Sequence, residues 1–167
     1  TVAGKSETTE QIQNSEYAYI LAGVSGCPST TWLHTDKAYN DKYNSHEVLV
    51  LFSTFMCGVK YHLNVVKPGK YTLIHFADID VVMTDAARQD NEKLKHTSAR
   101  IASFTADKGT VTYIGTIDQE INNLNYYFTV SDMRSDAKAF LAENYPGIDA
   151  DLIVYKPVLH GRLLPSI

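Results

Sequence analysis

The chain lacks three features that would each point to a class of protein. It has no apolar run that approaches the ~18 residues of a membrane-spanning helix. Its Lys and Arg residues form no cluster, and its net charge is −4. Nucleic-acid binding normally needs a concentrated basic face. We therefore expect a protein that does not span a membrane and that has no nucleic acid as a partner.

Cysteine is also scarce, since the sequence has only two cysteines. Cys27 and Cys57 lie 30 positions apart, a spacing that excludes CxxC redox motifs and zinc ribbons. In an exported protein the pair can form one disulfide bond. The alternative is two buried free thiols, because cysteine is among the most buried residue types. The spacing leaves both alternatives open.

The first fifteen residues are polar and contain no apolar stretch, so they cannot themselves be a signal peptide. We interpret residues 1–15 as a flexible polar lead-in that follows a removed targeting segment. The remaining residues, 16–167, are expected to form one domain, because a single core typically serves ~100–200 residues.

Stretches rich in β-branched and aromatic residues alternate with turn residues, which predicts strands. They cover 16–26, 46–55, 59–80, 104–117, 126–130 and 151–158. Residues 59–80 and 104–117 read as two β-hairpins, with turns at Lys67–Lys70 (type II) and Asp107–Gly109. Gly115 predicts a bulge or a close backbone approach. In the first hairpin, His62 and His75 would be near cross-strand neighbours. Residues 81–100 are polar and predict an irregular segment or a short helix.

One helix is predicted late in the chain. Met133, Ala137, Phe140 and Leu141 form a single apolar stripe at helical spacing. Ser131 or Asp132 can cap its start, and Pro146–Gly147 prevents its continuation. Strands at close intervals with one late amphipathic helix predict a mainly β fold. We expect an antiparallel β-sandwich of about seven or eight strands.

Two segments carry a resemblance to known families. VVKPGKYTLIHF resembles a hairpin of β-sandwiches of the carboxypeptidase-regulatory or transthyretin-like type. FTADKGTVTYIGTI, and the later VSDMRSDAKAFLAENYPG, are similar to segments of small uncharacterised bacterial lipoproteins of that architecture. The resemblance covers Tyr61 to Gly147. It implies a β-sandwich and a place in the cell envelope, and it brings no catalytic residues.

Several polar residues fit a structural or solvent-exposed role better than a binding or catalytic site. The carboxylates Asp78, Asp80 and Asp85 lack the dense spacing of a calcium loop, so we expect them to be solvent-exposed. We expect the same of Asp149 and Asp151. The six histidines have no zinc-site spacing: His34, His46, His62, His75, His96 and His160. Residues 23–27, GVSGC, approach the G-x-S-x-G motif of serine hydrolases but lack its last glycine. We therefore expect no catalytic residues, no metal and no cofactor.

The best candidate binding residues are the aromatics Trp32, Tyr39 and Tyr43, which fall in a long polar segment. Exposed aromatic rings give flat surfaces for a sugar or a protein partner, although they can also anchor a loop to the domain. We predict a non-enzymatic protein of the cell envelope, extracytoplasmic and either tethered by a lipid or free in the periplasm, that contacts an envelope protein or a glycan. The alternative is a carbohydrate-binding or small-ligand module that uses the Trp32–Tyr43 segment.

Overall fold

Within the residues that the structure describes, the protein is mainly β-strand, with two sheets and one helix of more than seven residues. The computed structural model describes residues 2–25, 48–51, 59–76, 79–84, 99–122, 125–155 and 158–159. In chain order these ranges contain α1 (Thr9–Gln13), β1 (Ala18–Ser25), β2 (Val48–Leu51), β3 (Lys60–Val66), β4 (Gly69–Phe76), β5 (Ile79–Thr84), β6 (Ala99–Ala106), β7 (Val111–Asn122), β8 (Asn125–Ser131), α2 (Arg134–Asn144), a 3-10 helix (Ala150–Leu152), β9 (Val154–Tyr155) and β10 (Val158–Leu159).

The strands form two five-stranded sheets. Sheet A has the order β3-β1-β7-β8, with β9 also paired to β7, and sheet B has the order β10-β6-β4-β5-β2. In sheet A, β1 and β9 both run parallel to β7. The expectation of purely antiparallel pairing is therefore wrong for sheet A. Parallel neighbours need a long connection, and the chain between β1 and β7 supplies one because it includes five other strands.

The two predicted hairpins are wrong, because their arms lie in different sheets. The chain crosses from sheet A to sheet B between β3 and β4, and returns between β6 and β7. A tight turn reverses the chain, but it does not decide which strand the next segment will pair with. His62 accordingly lies opposite Ala22 of β1, whereas His75 lies opposite Asp80 and Ala99 in sheet B. The two histidines are not cross-strand neighbours.

The two backbone features predicted for 104–117 are confirmed. Thr110 donates its N–H to the Asp107 carbonyl (3.3 Å), and Gly109 has a φ of +68° within that turn. Gly115 has a φ of +102°, and the register between β1 and β7 shifts beside it. Glycine adopts such angles without a steric penalty. The glycines of this segment therefore shape a turn between sheets and a bulge in β7.

Both faces of sheet A are buried. Side chains alternate along β1, so Ala18, Ile20 and Ala22 join one core cluster while Tyr19 and Leu21 join another. The first cluster also contains residues of sheet B, including Tyr71 and Phe104, whose rings stack 5.9 Å apart. The second cluster contains Ala3 and Ile12 of the N-terminal segment, Ala137 and Leu141 of α2, and Ile148.

The N-terminal residues are packed against the body of the protein, not a flexible lead-in. Ala3 donates its N–H to the carbonyl of Leu63 (3.0 Å), and Val2 forms an antiparallel bridge with Asn64. A capping box between Thr8 and Gln11 starts α1, and Ile12 is buried. The polar composition of the segment gave no sign of this packing, because two apolar side chains, Ala3 and Ile12, are enough to anchor it.

The late helix is confirmed. The predicted cap at Ser131 or Asp132 is wrong by at least one residue, because Met133 is the N-cap and makes no side-chain cap bond. Asp132, the residue before it, accepts the N–H of Arg134 at 3.2 Å. The helix α2 ends before Tyr145 and Pro146. Ala137 and Leu141 are buried against sheet A, and Phe140 is partly buried. By contrast, the irregular segment predicted over residues 81–100 is wrong at both ends, because Val81 to Thr84 continue β5 and Ala99 begins β6. The last strand, predicted over residues 151–158, is observed as two short strands. β9 lies in sheet A and β10 in sheet B.

One buried hydroxyl in β7 leads to a stability prediction. Thr112 and Thr116 are both almost fully buried, but the Thr112 Oγ1 atom has no hydrogen-bond partner whereas Thr116 Oγ1 contacts two tyrosine hydroxyls. We expect Thr112→Val to raise the free energy of unfolding by about 1 kcal/mol, because a buried unpaired hydroxyl is lost. Thr116→Val, the matched control, should lower it by about 1–3 kcal/mol. Urea denaturation measures both, and a loss with Thr112→Val would contradict the packing described.

Candidate functional site

Most of the residues singled out from the sequence lie outside the described ranges, so they stay predictions. These are the aromatics Trp32, Tyr39 and Tyr43, the cysteines Cys27 and Cys57, the carboxylates Asp78 and Asp85, and the histidines His34, His46, His96 and His160.

Within the described ranges, Asp149 caps the 3-10 helix through the N–H of Asp151 (2.9 Å). Asp151 pairs with Lys138 at 2.7 Å, which lowers the pKa of Asp151. No three His, Cys, Asp or Glu residues of the described ranges are placed to share a metal ion.

A chain of hydroxyl groups crosses sheet A beneath the start of α2. The Thr116 Oγ1 atom lies 2.7 Å from the Tyr113 hydroxyl and 3.2 Å from the Tyr61 hydroxyl. Gly23, which lies between Tyr61 and Thr116 in the sheet, leaves the space for this contact. A Cβ at Gly23 would come within 2.7 Å of Thr116 Oγ1 and 2.8 Å of the Tyr61 ring.

The backbone of Met133 connects these hydroxyls to the start of α2. Its N–H donates to the Tyr113 hydroxyl oxygen at 3.2 Å. In each of the two contacts of Thr116 Oγ1 either hydroxyl can be the donor, since a hydroxyl carries one proton and two acceptor lone pairs. Neighbouring hydrogen bonds in such a chain polarise one another.

Burial keeps the Tyr113 and Tyr155 hydroxyls protonated. Burial raises the pKa of Tyr113 to about 12, because the phenolate would lose its hydration. Burial also raises the pKa of Tyr155, and the charge of Asp132 adds to this effect. Groups that stay neutral at physiological pH can donate and accept hydrogen bonds, but they are poor bases and nucleophiles there. The polar interior of the site is thus suited to structure and recognition.

A surface of one arginine and one aromatic ring lies above these hydroxyls, at the start of α2. The Arg134 guanidinium lies over the Tyr155 ring, 5.2 Å from its centroid. The Asp132 carboxylate holds it there through bonds of 2.7–3.0 Å to Nε and Nη2. The Tyr155 ring is supported in turn by Tyr113, with ring centroids 5.5 Å apart. We call Asp132, Met133, Arg134, Ser135, Asp136 and Tyr155 the Arg134 patch.

The Arg134 patch borders an open depression. Its volume is about 420 Å³, and residues Asp132 to Asp136 line it. The Arg134 side chain is 54% exposed although its guanidinium is fixed. Asp132 binds one edge of the guanidinium, so the Nη1 donors remain available to another acceptor. A second, smaller crevice of about 130 Å³ lies between α1, the Gly109 turn and the 3-10 helix, with largely apolar walls.

Sequence reasoning missed the Arg134 patch. Arg134 and Tyr155 are separated by the whole of α2 and the 3-10 helix, so nothing in their spacing indicates a contact. The one local signal is Asp132, which precedes Arg134 by two residues and was considered only as a cap. Tyr61, Tyr113 and Thr116 were likewise read as ordinary strand residues.

Comparisons with protein-family models, with curated proteins and with solved structures found no match to this chain. The resemblance of Tyr61 to Gly147 to envelope lipoproteins and transthyretin-like domains therefore stays a prediction.

The buried tyrosines predict a loss of stability at high pH. The pKa of both Tyr19 and Tyr113 is raised from 10.0 to about 12, in each case chiefly by burial. The folded state holds these protons more tightly than the unfolded state. Their contribution is therefore fully present below pH 10 and is lost as the pH rises through 12. Denaturation midpoints measured from pH 8 to pH 12 should be flat and then fall, and Tyr113→Phe should make the fall shallower.

Proposed function

We propose that this protein is a non-enzymatic domain of the cell envelope that acts by contact with another macromolecule, through the Arg134 patch. The observation that carries the proposal is the fixed Arg134 guanidinium over Tyr155. Arginine and tyrosine are the residue types that most often dominate binding energy at protein interfaces. Here Arg134 is exposed, and it lies over the partly buried Tyr155 ring, which Tyr113 supports.

Preorganisation of the patch favours binding. A flexible arginine loses roughly 0.5–1.5 kcal/mol of side-chain entropy when a partner immobilises it. The bonds from Asp132 already hold Arg134, and the Tyr113 ring already supports Tyr155. The side-chain entropy of Arg134 and Tyr155 is therefore largely lost when the protein folds, and little more is lost when a partner binds. The exposed Nη1 donors and the Tyr155 ring together fit a protein surface that offers a hydrogen-bond acceptor next to an apolar side chain.

The architecture proposed for this domain is a β-sandwich. The first core cluster joins side chains of β1, β3 and β7 in sheet A to Tyr71, Phe104 and Ala106 in sheet B. Two sheets that share one core in this way pack face to face. The other face of sheet A is covered by α1 and α2, so we infer a sandwich with helices on one outer side.

The envelope location rests on the sequence. The resemblance over Tyr61 to Gly147 implies a lipoprotein, with a lipid tether or a free periplasmic form. No helix within the described ranges has the length and apolar character needed to cross a membrane.

A matched pair of variants on α2 tests the contact surface. Arg134→Ala removes the guanidinium from the patch. Lys138→Ala, one turn further along α2, removes an exposed ion pair with Asp151 and leaves the patch intact. We expect the immobilised wild type and Lys138→Ala to retain the same envelope protein, and Arg134→Ala to lose at least about tenfold in affinity for it. Equal retention by both variants would show that the patch is not the contact surface.

The alternative function is a carbohydrate-binding or small-ligand module that uses Trp32, Tyr39 and Tyr43. The observation that favours it is the grouping of three aromatic side chains in one polar segment. Trp32 is the single tryptophan of the chain, so its fluorescence reports directly on this segment. Quenching by one member of a glycan panel would support the alternative, and an unchanged spectrum with every glycan would count against it.

A further inference from the structure

The helix α2 begins without a side-chain cap of its own. Met133 is its N-cap residue and makes no side-chain cap hydrogen bond. The first N–H groups of a helix have no partner within the helix, and helix ends fray. Arg134 is the first residue of α2. The order of the Arg134 patch therefore depends on what else holds this end of the helix.

Sheet A supplies the missing acceptor. The Met133 N–H donates to the Tyr113 hydroxyl oxygen at 3.2 Å, and Tyr113 is fully buried in β7. The same side chain supports Tyr155, its neighbour across the β7–β9 pairing, with ring centroids 5.5 Å apart. Tyr113 thus contacts both halves of the Arg134 patch. It holds the start of α2 through its hydroxyl and the Tyr155 ring through its own ring.

The Asp132 carboxylate does not anchor the patch to the sheet in this way. It accepts from the backbone N–H and from the guanidinium of Arg134, which lies only two positions further along the chain. Both residues are exposed, so their ion pair can move with the start of the helix as one unit. Exposed ion pairs also contribute little to stability. Their link to the sheet is the Tyr155 ring beneath the guanidinium, and that ring lies against Tyr113.

We propose that Tyr113 is the positioning residue of the Arg134 patch, and that the hydroxyl of Thr116 keeps Tyr113 in place. This inference deepens the proposed function and rests on it. The Thr116 Oγ1 atom lies 2.7 Å from the Tyr113 hydroxyl, and Thr116 is almost fully buried. A second hydrogen bond to the same hydroxyl restrains the Tyr113 side chain, whichever of the two atoms donates. Loss of either hydroxyl lets the first turn of α2 open more often and frees the Arg134 guanidinium.

Four variants separate this role from general packing. Tyr113→Phe removes the acceptor of the Met133 N–H and keeps the ring that supports Tyr155. Thr116→Val removes the Thr116 hydroxyl at nearly constant shape, whereas Thr116→Ser keeps that hydroxyl. Thr112→Val is the control, because Thr112 is also buried in β7 but its hydroxyl has no hydrogen-bond partner among the described residues.

Solvent exchange of the Arg134 Nε–H proton reports on the patch without any partner. It is measured by NMR on the full isotope-labelled chain, and the signal is assigned by its absence from Arg134→Ala. We expect exchange about fivefold faster in Tyr113→Phe and in Thr116→Val, the factor that corresponds to one net hydrogen bond. The Arg134 side-chain protons should also lose the ring-current shift that the Tyr155 ring causes. Thr116→Ser and Thr112→Val should behave as the wild type.

Unchanged Arg134 exchange in folded Tyr113→Phe and Thr116→Val would overturn the proposal, because Asp132 alone would then hold the guanidinium. Equal acceleration in Thr112→Val would also overturn it, since the effect would be a general loosening of β7. If one of the two test variants does not fold, the other decides. The proposed function can fail separately, because the exchange rates are measured without the envelope protein whose capture tests that function.

Discussion

Gly115→Ala is expected to lower the free energy of unfolding by about 3–5 kcal/mol, the sum of backbone strain and overpacking. Gly115 has a φ of +102°, a conformation that L side chains rarely adopt. A Cβ at this position would also lie 2.5 Å from the Val130 Cγ1 atom and 3.3 Å from the Ser131 carbonyl. The bulge cannot relax easily, because β1 and β8 flank it in sheet A.

The matched control for this variant is Gly4→Ala. Gly4 has no positive φ, and a Cβ there would meet only ordinary contacts, the nearest 3.7 Å away at Glu7. The control should change the free energy of unfolding by less than about 0.5 kcal/mol. Urea denaturation followed by circular dichroism measures both variants. Equal stability of the two would show that β7 has no bulge at Gly115.

Leu141→Ala is expected to cost about 3 kcal/mol of stability, within the usual range for a buried leucine. The Leu141 side chain is fully buried in the cluster that joins α2 to sheet A. Its loss leaves a cavity between the helix and the sheet, and the residual cavity adds to the lost burial. Because the start of α2 carries Arg134, this contact also holds the Arg134 patch in place.

Leu152→Ala serves as the matched control, since Leu152 is 46% exposed. The same chemical change should cost less than about 1 kcal/mol there, because little apolar surface leaves the core. Thermal unfolding of the two variants gives the comparison. If they lost the same stability, α2 would not cover sheet A in the manner described.

Local features of the fold could be predicted from the sequence because their causes are local. The stripe of Ala137 and Leu141 predicts α2, and the Asp107–Gly109 turn and the Gly115 bulge follow from the backbone freedom of glycine. The strands β1 and β8 are recognisable by composition. For α1, the pattern of Thr8 followed three residues later by Gln11 was a usable signal of a helix start.

Pairing between distant segments could not be predicted in this way. The two turns that look like hairpin turns carry the chain between sheets: β4, after the first turn, pairs with β5 and β6, and β7, after the second, pairs with β1, β8 and β9. Which strands pair depends on packing summed over both sheets. A short segment of sequence carries no information about that sum. The parallel pairing of β1 with β7 has the same origin.

The Arg134 patch depends on long-range placement even more strongly. Tyr155 reaches Arg134 only because β9 pairs with the first half of β7, next to Tyr113. The sequence instead favoured Trp32, Tyr39 and Tyr43 as binding residues, because their aromatic type can be read without knowing the fold. Those residues stay a prediction, and the patch is a second surface that only the structure reveals.

Site-specific photocrosslinking in the cells that make the protein tests the central claim most directly. A photoreactive side chain would replace Ser135, which lines the depression of the Arg134 patch, or Glu143, an exposed residue near the far end of α2. The account predicts that the Ser135 position gives one defined adduct with an envelope protein, that Arg134→Ala abolishes it, and that the Glu143 position gives none. Identical adducts from both positions, or none from Ser135, would contradict a contact function of this surface.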